Sequence, residues 1–138
     1  MVDSIRAKLQ SEIVCLIENE NVDTFYCGGK GDFDRLCAKC VNKLKNHYPF
    51  IESYMVFSYI PGKKNEFCID RYEEFNGTIY PEGLEFVPQK FAIIKRNEWL
   101  INKSSFLIAY IDHEWGGAYR TFKYAKRKNH IKVINIAN

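Results

Sequence analysis

The sequence predicts an α/β fold: a Rossmann-like three-layer α/β/α sandwich with a mostly parallel sheet. Three observations lead there. Helix-period and strand-period segments alternate along the chain as αβαβαβαβ, and that alternation folds as parallel strands joined by helices. Two glycine-rich loops, Gly28-Gly29-Lys30-Gly31 and Gly116-Gly117, each stand at a strand-to-helix turn. The chain has 138 residues, 46% of them hydrophobic and 15% aromatic, which suits one domain with a real core rather than a disordered segment. A single domain over residues 1–138 is expected.

The first element is a helix over 4–20. Ile5, Leu9, Ile13, Leu16 and Ile17 recur at spacings of three and four, and Asp3 or Ser4 can cap the first turn. The β-prone run Thr24-Phe25-Tyr26-Cys27 is the first strand. After the first glycine loop comes a helix with Phe33, Leu36, Cys37, Cys40, Val41 and Leu44 on one stripe, ending near His47-Tyr48-Pro49. Asp32 is placed to cap it. Asp34 suits either a contact with the helix dipole or a hydrogen bond to a ligand. A strand follows over Tyr54 to Ile60, broken by Pro61-Gly62.

Residues 61–88 read as an inserted loop or lid, with a short strand at Thr78-Ile79-Tyr80. A lid is the functional reading because ligands of open α/β sheets bind beyond the carboxyl ends of strands. A helix from Pro88 to Lys103 leads to the apolar strand Phe106 to Ile111. The last helix runs from Tyr119 to Asn129, and the last strand is Ile131 to Ile136.

Net charge is +3, from 20 Lys and Arg against 17 Asp and Glu, which makes nucleic acid an unlikely partner. Five cysteines and an opening that reads as a helix rather than a signal peptide fit a reduced, cytoplasmic setting. No apolar run is long enough to span a bilayer. Cys37-Ala38-Lys39-Cys40 matches C-x-x-C, but both cysteines fall on the buried stripe more than a turn inside a helix. A redox dithiol sits at a helix start, where the thiolate is stabilised. No second cysteine pair completes a tetrahedral site, and His47, His113 and His130 are scattered, so neither a metal nor a cofactor is expected.

The motifs, in their order and spacing, resemble a known family. A strand leads into Gly28-Gly29-Lys30-Gly31-x-x-Asp34; then come Arg96-Asn97-x-Trp99-Leu100-Ile101-x-x-Ser104-Ser105, and Tyr110 followed by Gly116-Gly117-x-x-x-Thr121-x-x-Tyr124-Ala125. From about Asn21 to Ile136 this resembles the SLOG superfamily, which gathers the Smf/DprA DNA-processing proteins and the Lonely Guy (LOG) enzymes. The likeness is greatest to small bacterial and phage members related to YpsA and YoqJ. It implies a Rossmann-like nucleotide-binding fold with its ligand at both glycine loops.

LOG enzymes cleave the bond between base and ribose phosphate, using an arginine-lysine pair and a glutamate three residues after a threonine. Here Arg96 matches the arginine, Asn97 replaces the lysine, and Tyr124 stands at the glutamate position. Glycoside cleavage needs a carboxylate, and Asp112 and Glu114, just before the loop, are the substitutes. Relatives begin with another strand ending in a Gly-His-Arg loop, whereas this sequence opens on a helix. An exposed sheet edge that pairs with a second chain, giving a homodimer, is therefore expected.

The expected ligand is a nucleotide-derived small molecule, held without turnover by a sensor, carrier or sequestering protein; a phage sponge for a defence signal is one version. Gly28, Gly29, Gly31, Gly116 and Gly117 would present backbone N–H groups to phosphate, with Lys30 and Arg96 as charged partners. Asp34 and Asn97 would hydrogen-bond the ligand or loops; Ala118, Tyr119, Arg120 and Thr121 line the second helix start. Trp99 and Trp115 are candidates to stack on a base. The alternative is a LOG-like nucleoside-monophosphate hydrolase, and a further one is DNA binding through the basic last helix, which would show a steep salt dependence.

Overall fold

The chain begins with helix α1 (Val2–Asn19), which lays Leu9, Ile13, Leu16 and Ile17 into the core, while Ile5 is half-buried. The computed structural model describes residues 2–29, 31–59 and 73–137. Asn21, with φ of 58°, turns the chain out of α1, and the Leu16 carbonyl accepts from both Glu20 N and Val22 N. Asparagine tolerates that left-handed backbone better than most residues.

Two compact units make up the chain, Met1–Tyr80 and Pro81–Asn138. In the first, α1 is followed by β1 (Thr24–Cys27), α2 (Gly31–Leu44), β2 (Glu52–Val56) and β3 (Gly77–Ile79). The three strands form a parallel sheet in the order β1-β2-β3, pairing Thr24 with Glu52 and Tyr54 with Gly77. Helix α2 buries Cys40, Val41 and Leu44, with Phe33, Leu36 and Cys37 half-buried. Ile51, Met55, Val56 and Phe57 complete this core.

The second strand was expected at Tyr54 to Ile60 and lies at Glu52–Val56. Its ladder starts earlier because Glu52 N donates to Asp23 O (2.8 Å) just ahead of β1; Ile60 itself is outside the described residues. Of the expected lid over 61–88, residues 61–72 are also outside them. The rest is ordered into β3 and a 3-10 helix, Leu84–Phe86. The side chain of Asn76 fixes the register of β3. Its Oδ1 accepts from Ser53 N (2.9 Å), and its own N–H donates to Ser53 O (2.8 Å).

The second unit holds that 3-10 helix, α3 (Gln89–Lys103), β4 (Phe106–Ala109), α4 (Gly117–Lys126) and β5 (Lys132–Asn135). Strands β4 and β5 pair in parallel, Phe106 with Lys132 through Ala109 with Asn135. Ile101, Ala125 and Ile131 form the core, with Leu107, Tyr124 and Val133 packed on it. Asn135 repeats the clasp of Asn76: it bonds Ile111 N and Ile111 O, each at 3.0 Å, and accepts from Ala137 N. Helix α4 is shorter at its end than Tyr119 to Asn129. Arg127 N and Lys128 N donate to the carbonyls three residues back, which tightens and closes the last turn.

The architecture is thus α/β, with parallel strands in both sheets. Among the described residues, no helix is long and apolar enough to cross a membrane.

Candidate functional site

Each glycine loop follows the carboxyl end of a strand, but the two are built differently. In the first unit β1 ends at Cys27 and α2 begins at Gly31. Gly29 and Gly31 have φ of 76° and 88°, a region that glycine enters without strain. At Gly29 a Cβ would stand 2.5 Å from Met55 Sδ, so the loop lies close on β2; at Gly31 the space is open. Lys30 is outside the described residues.

The first turn of α2 carries its own acids, Asp32 and Asp34. Asp32, expected as the cap, lies inside the helix, where its carboxylate pairs with Arg35. Asp34 is half-buried and acts on the thiols of Cys27 and Cys37. Burial, aided by that negative charge and opposed by Lys45, pushes the Cys27 thiol up to about 12. Burial also raises Cys37, with Cys27 and Asp34 adding to it, and raises Cys40. These thiols are the opposite of an activated redox pair, whose thiolate is stabilised.

In the second unit Gly116 adopts φ of 94° and ψ of 175°, a conformation open in practice to glycine alone, and α4 starts at Gly117. No side chain caps this helix and no acid lies in its first turn. Nothing stands within 4 Å of where a Cβ on Gly117 would be. The first N–H groups of a helix lack intrahelical acceptors, and Arg120, exposed, is the residue whose N–H bonds back to Gly116 O (3.1 Å). Ala118 is exposed and Tyr119 half-buried. Thr121 turns its hydroxyl back onto the helix, donating to Gly117 O (3.0 Å).

Arg96, expected as a phosphate ligand, is buried at 2% exposure within α3, and its Nε donates to Asn97 Oδ1 (2.9 Å). The amide of Asn97 is therefore engaged in holding Arg96. Trp99 is half-buried with Lys103 Nζ over its ring at 6.0 Å. Trp115 is 71% exposed, immediately before Gly116.

One contact escaped the sequence reading, the one that His113 makes with the candidates Asp112 and Trp115. His113 Nδ1 is 2.7 Å from Asp112 Oδ1, and its ring lies against that of Trp115, with centroids 4.1 Å apart and the planes tilted by 37°. Its Nε2 faces Gly116, 4.0 Å from where a Cβ there would be. The carboxylate favours the tautomer with the proton on Nδ1, which leaves Nε2 as an acceptor. Asp112, one of the two candidate catalytic carboxylates, thus has a partner; Glu114 is exposed. The spacing Asp-His-x-Trp-Gly was the only signal available. Tyr124 packs on the core, and its hydroxyl donates to Asn102 Oδ1 (3.3 Å).

Among the described residues no group of three or more His, Cys, Asp or Glu is placed to hold a metal ion. No protein-family model and no curated protein matches the chain.

Proposed function

We propose that this protein binds a nucleotide or nucleotide-derived small molecule at its glycine loops and holds it without turnover, as a sensor, carrier or sequestering protein. The observation that carries the reading is the start of α4, where an uncapped helix without first-turn acids opens from a glycine-only turn. Such a terminus presents free N–H groups and the positive end of the helix dipole to an anion. Arg120 supplies a charged fork there, and the exposed Trp115 a face for a base. The resemblance to the SLOG superfamily, whose members bind nucleotides, supports the same ligand class. Helix α2 carries Asp32 and Asp34 in its own first turn, so its start is the less favourable of the two for an anion.

The absence of turnover rests on Tyr124, which occupies the place of the LOG-type glutamate and is tied to Asn102. One observation favours the alternative, a nucleoside-monophosphate N-glycoside hydrolase: the Asp112–His113 pair offers Nε2 as a base for water beside Gly116. The reading also includes a cytoplasmic homodimer. The free Cys15, Cys27, Cys37 and Cys40 suit a reducing compartment.

Native mass spectrometry of the purified protein, then analysis of any small molecule released on denaturation, tests the proposal. A nucleotide released intact, and lost in Arg120→Gln, is the expected result. Release of free base from nucleoside monophosphates, abolished in His113→Ala, would replace it with the hydrolase. A protein that takes up none of a nucleotide panel would overturn both. The same spectra read the dimer directly.

A further inference from the structure

Three of the four helices pair surface cations with acids of their own, three residues away: Arg6 with Asp3 on α1, Arg35 with Asp32 on α2, and Lys95 with Glu98 on α3. Helix α4 has no acid with which to do this. The sequence from Gly116 to Asn138 contains no Asp or Glu and six cations: Arg120, Lys123, Lys126, Arg127, Lys128 and Lys132. All but Lys128 are exposed, and among the described residues none of the six forms an ion pair. The net charge of +3 conceals this. Residues 1–80 carry ten Lys and Arg against twelve Asp and Glu, and residues 81–138 carry ten against five.

Helix-dipole complementarity accounts for a cation in a last turn, and α2 and α3 each have one there, Lys43 and Lys103. It does not account for Lys126 and Arg127 standing three and four residues after Lys123, because like charges at those spacings repel. The cations rest on rings instead of acids. Lys123 Nζ is 5.5 Å from the centre of Tyr119, Lys126 Nζ 5.1 Å from Phe122, and Lys128 Nζ 4.6 Å and Arg127 Cζ 5.7 Å from Tyr124. Such contacts place a charge without neutralising it.

We propose that the flank of α4 and the turn after it, through Lys123, Lys126 and Arg127, dock an acidic segment of another protein, whose Asp and Glu carboxylates pair with these cations. Arg127 offers a planar fork to one carboxylate, and the lysines are point charges for others. Lys123 and Arg127 are about 6 Å apart along the helix axis. Side chains on one face of an extended segment recur about every 7 Å, so acids at alternate positions meet both. A second copy of this chain is a poor source of such a segment, since its longest run of acids is Glu73-Glu74. Single-stranded nucleic acid is held by rings free to stack on bases, whereas Tyr119, Phe122 and Tyr124 each have one of the protein's own cations on a face. A membrane surface needs a free apolar face, and that of α4 is used, with Ala125 fully buried and Tyr124 packed on the core cluster. The surface lies along the flank of α4 and does not depend on a nucleotide at its start.

Fluorescence anisotropy with a labelled decaglutamate peptide, at 50 and 200 mM salt, tests it, with decaglutamine as the uncharged control. Decaglutamate should bind and decaglutamine should not, and the affinity should fall several-fold as salt screens the charges. Lys123→Gln/Arg127→Gln should weaken binding about 10-fold. Lys39→Gln/Lys43→Gln removes the same charge from exposed positions of α2 and should leave binding within about twofold of the parent. A loss confined to the first double variant supports the surface. No binding of decaglutamate at 50 mM salt, an equal loss in the two double variants, or tighter binding of an oligothymidylate of matched charge, the sign of nucleic acid, would overturn it.

Discussion

All five cysteines fall in the first unit, residues 1–80, and both tryptophans in the second, residues 81–138. The two units share a plan, with parallel strands running into glycine-opened helices and an asparagine side chain clasping a neighbouring strand. They differ in how each helix start is filled. Helix α2 satisfies its own dipole with Asp32 and Asp34, and Asp34 raises the thiols of the buried Cys27 and the half-buried Cys37 further. Helix α4 leaves its start without an acid or a cap and sets Arg120 and Trp115 beside it. The same local motif is thus self-contained in one unit and open to an anion in the other. A glycine loop read from sequence does not distinguish the two; the charges in the next turn do.

The thiols give the largest contrast. With the Cys27 thiol raised from 9.0 to about 12, its thiolate fraction at pH 8 falls about 1,000-fold below that of an unperturbed thiol. Alkylation of Cys27 by iodoacetamide at pH 8, followed by peptide mass mapping, should therefore be about that much slower in the folded protein than in urea. The sign for stability follows. The folded thiol stays neutral where the unfolded one ionises, so its contribution is full below pH 9 and falls as pH rises from 9 toward 12. The loss is about 1.4 kcal/mol per pH unit for one such group. Cys37 adds in the same direction, while the second unit has no cysteine to contribute. A urea midpoint unchanged between pH 8 and 10.5 would remove the buried thiols from this account.

The tryptophans allow the second unit to be followed by itself. Ile101 is 2% exposed and centres the cluster with Ala125 and Ile131. Ile101→Ala should destabilise by about 2–5 kcal/mol, the usual range for emptying such a site, read from tryptophan emission during urea unfolding. A shift under 1 kcal/mol would mean that this cluster is not the core of the unit.

The two glycines at α4 should then part company. Ala at Gly116 must adopt a backbone reserved for glycine, at about 1–3 kcal/mol. Ala at Gly117 meets open space and ordinary helical backbone, so it should stabilise by about 0.5–1 kcal/mol. Equal effects at both positions would show that the turn is not the strained feature described.

Much of the fold was legible in the sequence because its signals are local. The three-and-four spacing marked α1, and all four of Leu9, Ile13, Leu16 and Ile17 are buried. The C-x-x-C pair could be set aside from helix position alone, in agreement with the raised thiols. What was obscure depends on distant partners. Strand β3, expected at Thr78-Ile79-Tyr80, lies at Gly77–Ile79, but its register, set by Asn76 on Ser53, is something no periodicity reveals. The burial of Arg96 and the use of Asn97 to hold it are settled by packing, since an arginine on a helix reads as surface. The Asp112–His113–Trp115 contact is a matter of loop geometry, and composition is silent about it. The split of charge between the units was on the page in the sequence, but the chain-wide sum hid it.

The smallest effect separates most sharply the two treatments of a helix start. A cation in the first turn of a helix is unfavourable by a few tenths of a kcal/mol, and Arg120 occupies that place with no acid partner among the described residues. If Arg120 were there only for the fold, Gln would be the better residue. Arg120→Gln should therefore raise stability by about 0.3 kcal/mol while weakening nucleotide binding at least tenfold. The contrast with α2 is the control: Asp32→Asn removes a favourable charge there and should lower stability by about 0.3–1 kcal/mol, with less effect on the ligand. A residue that costs stability where it stands is the pattern of a position serving a partner rather than the core. Differential denaturation with and without nucleotide reads both quantities in one experiment. If Arg120→Gln loses stability and binds as before, the open start of α4 is a structural terminus and the comparison between the two helices carries no functional meaning.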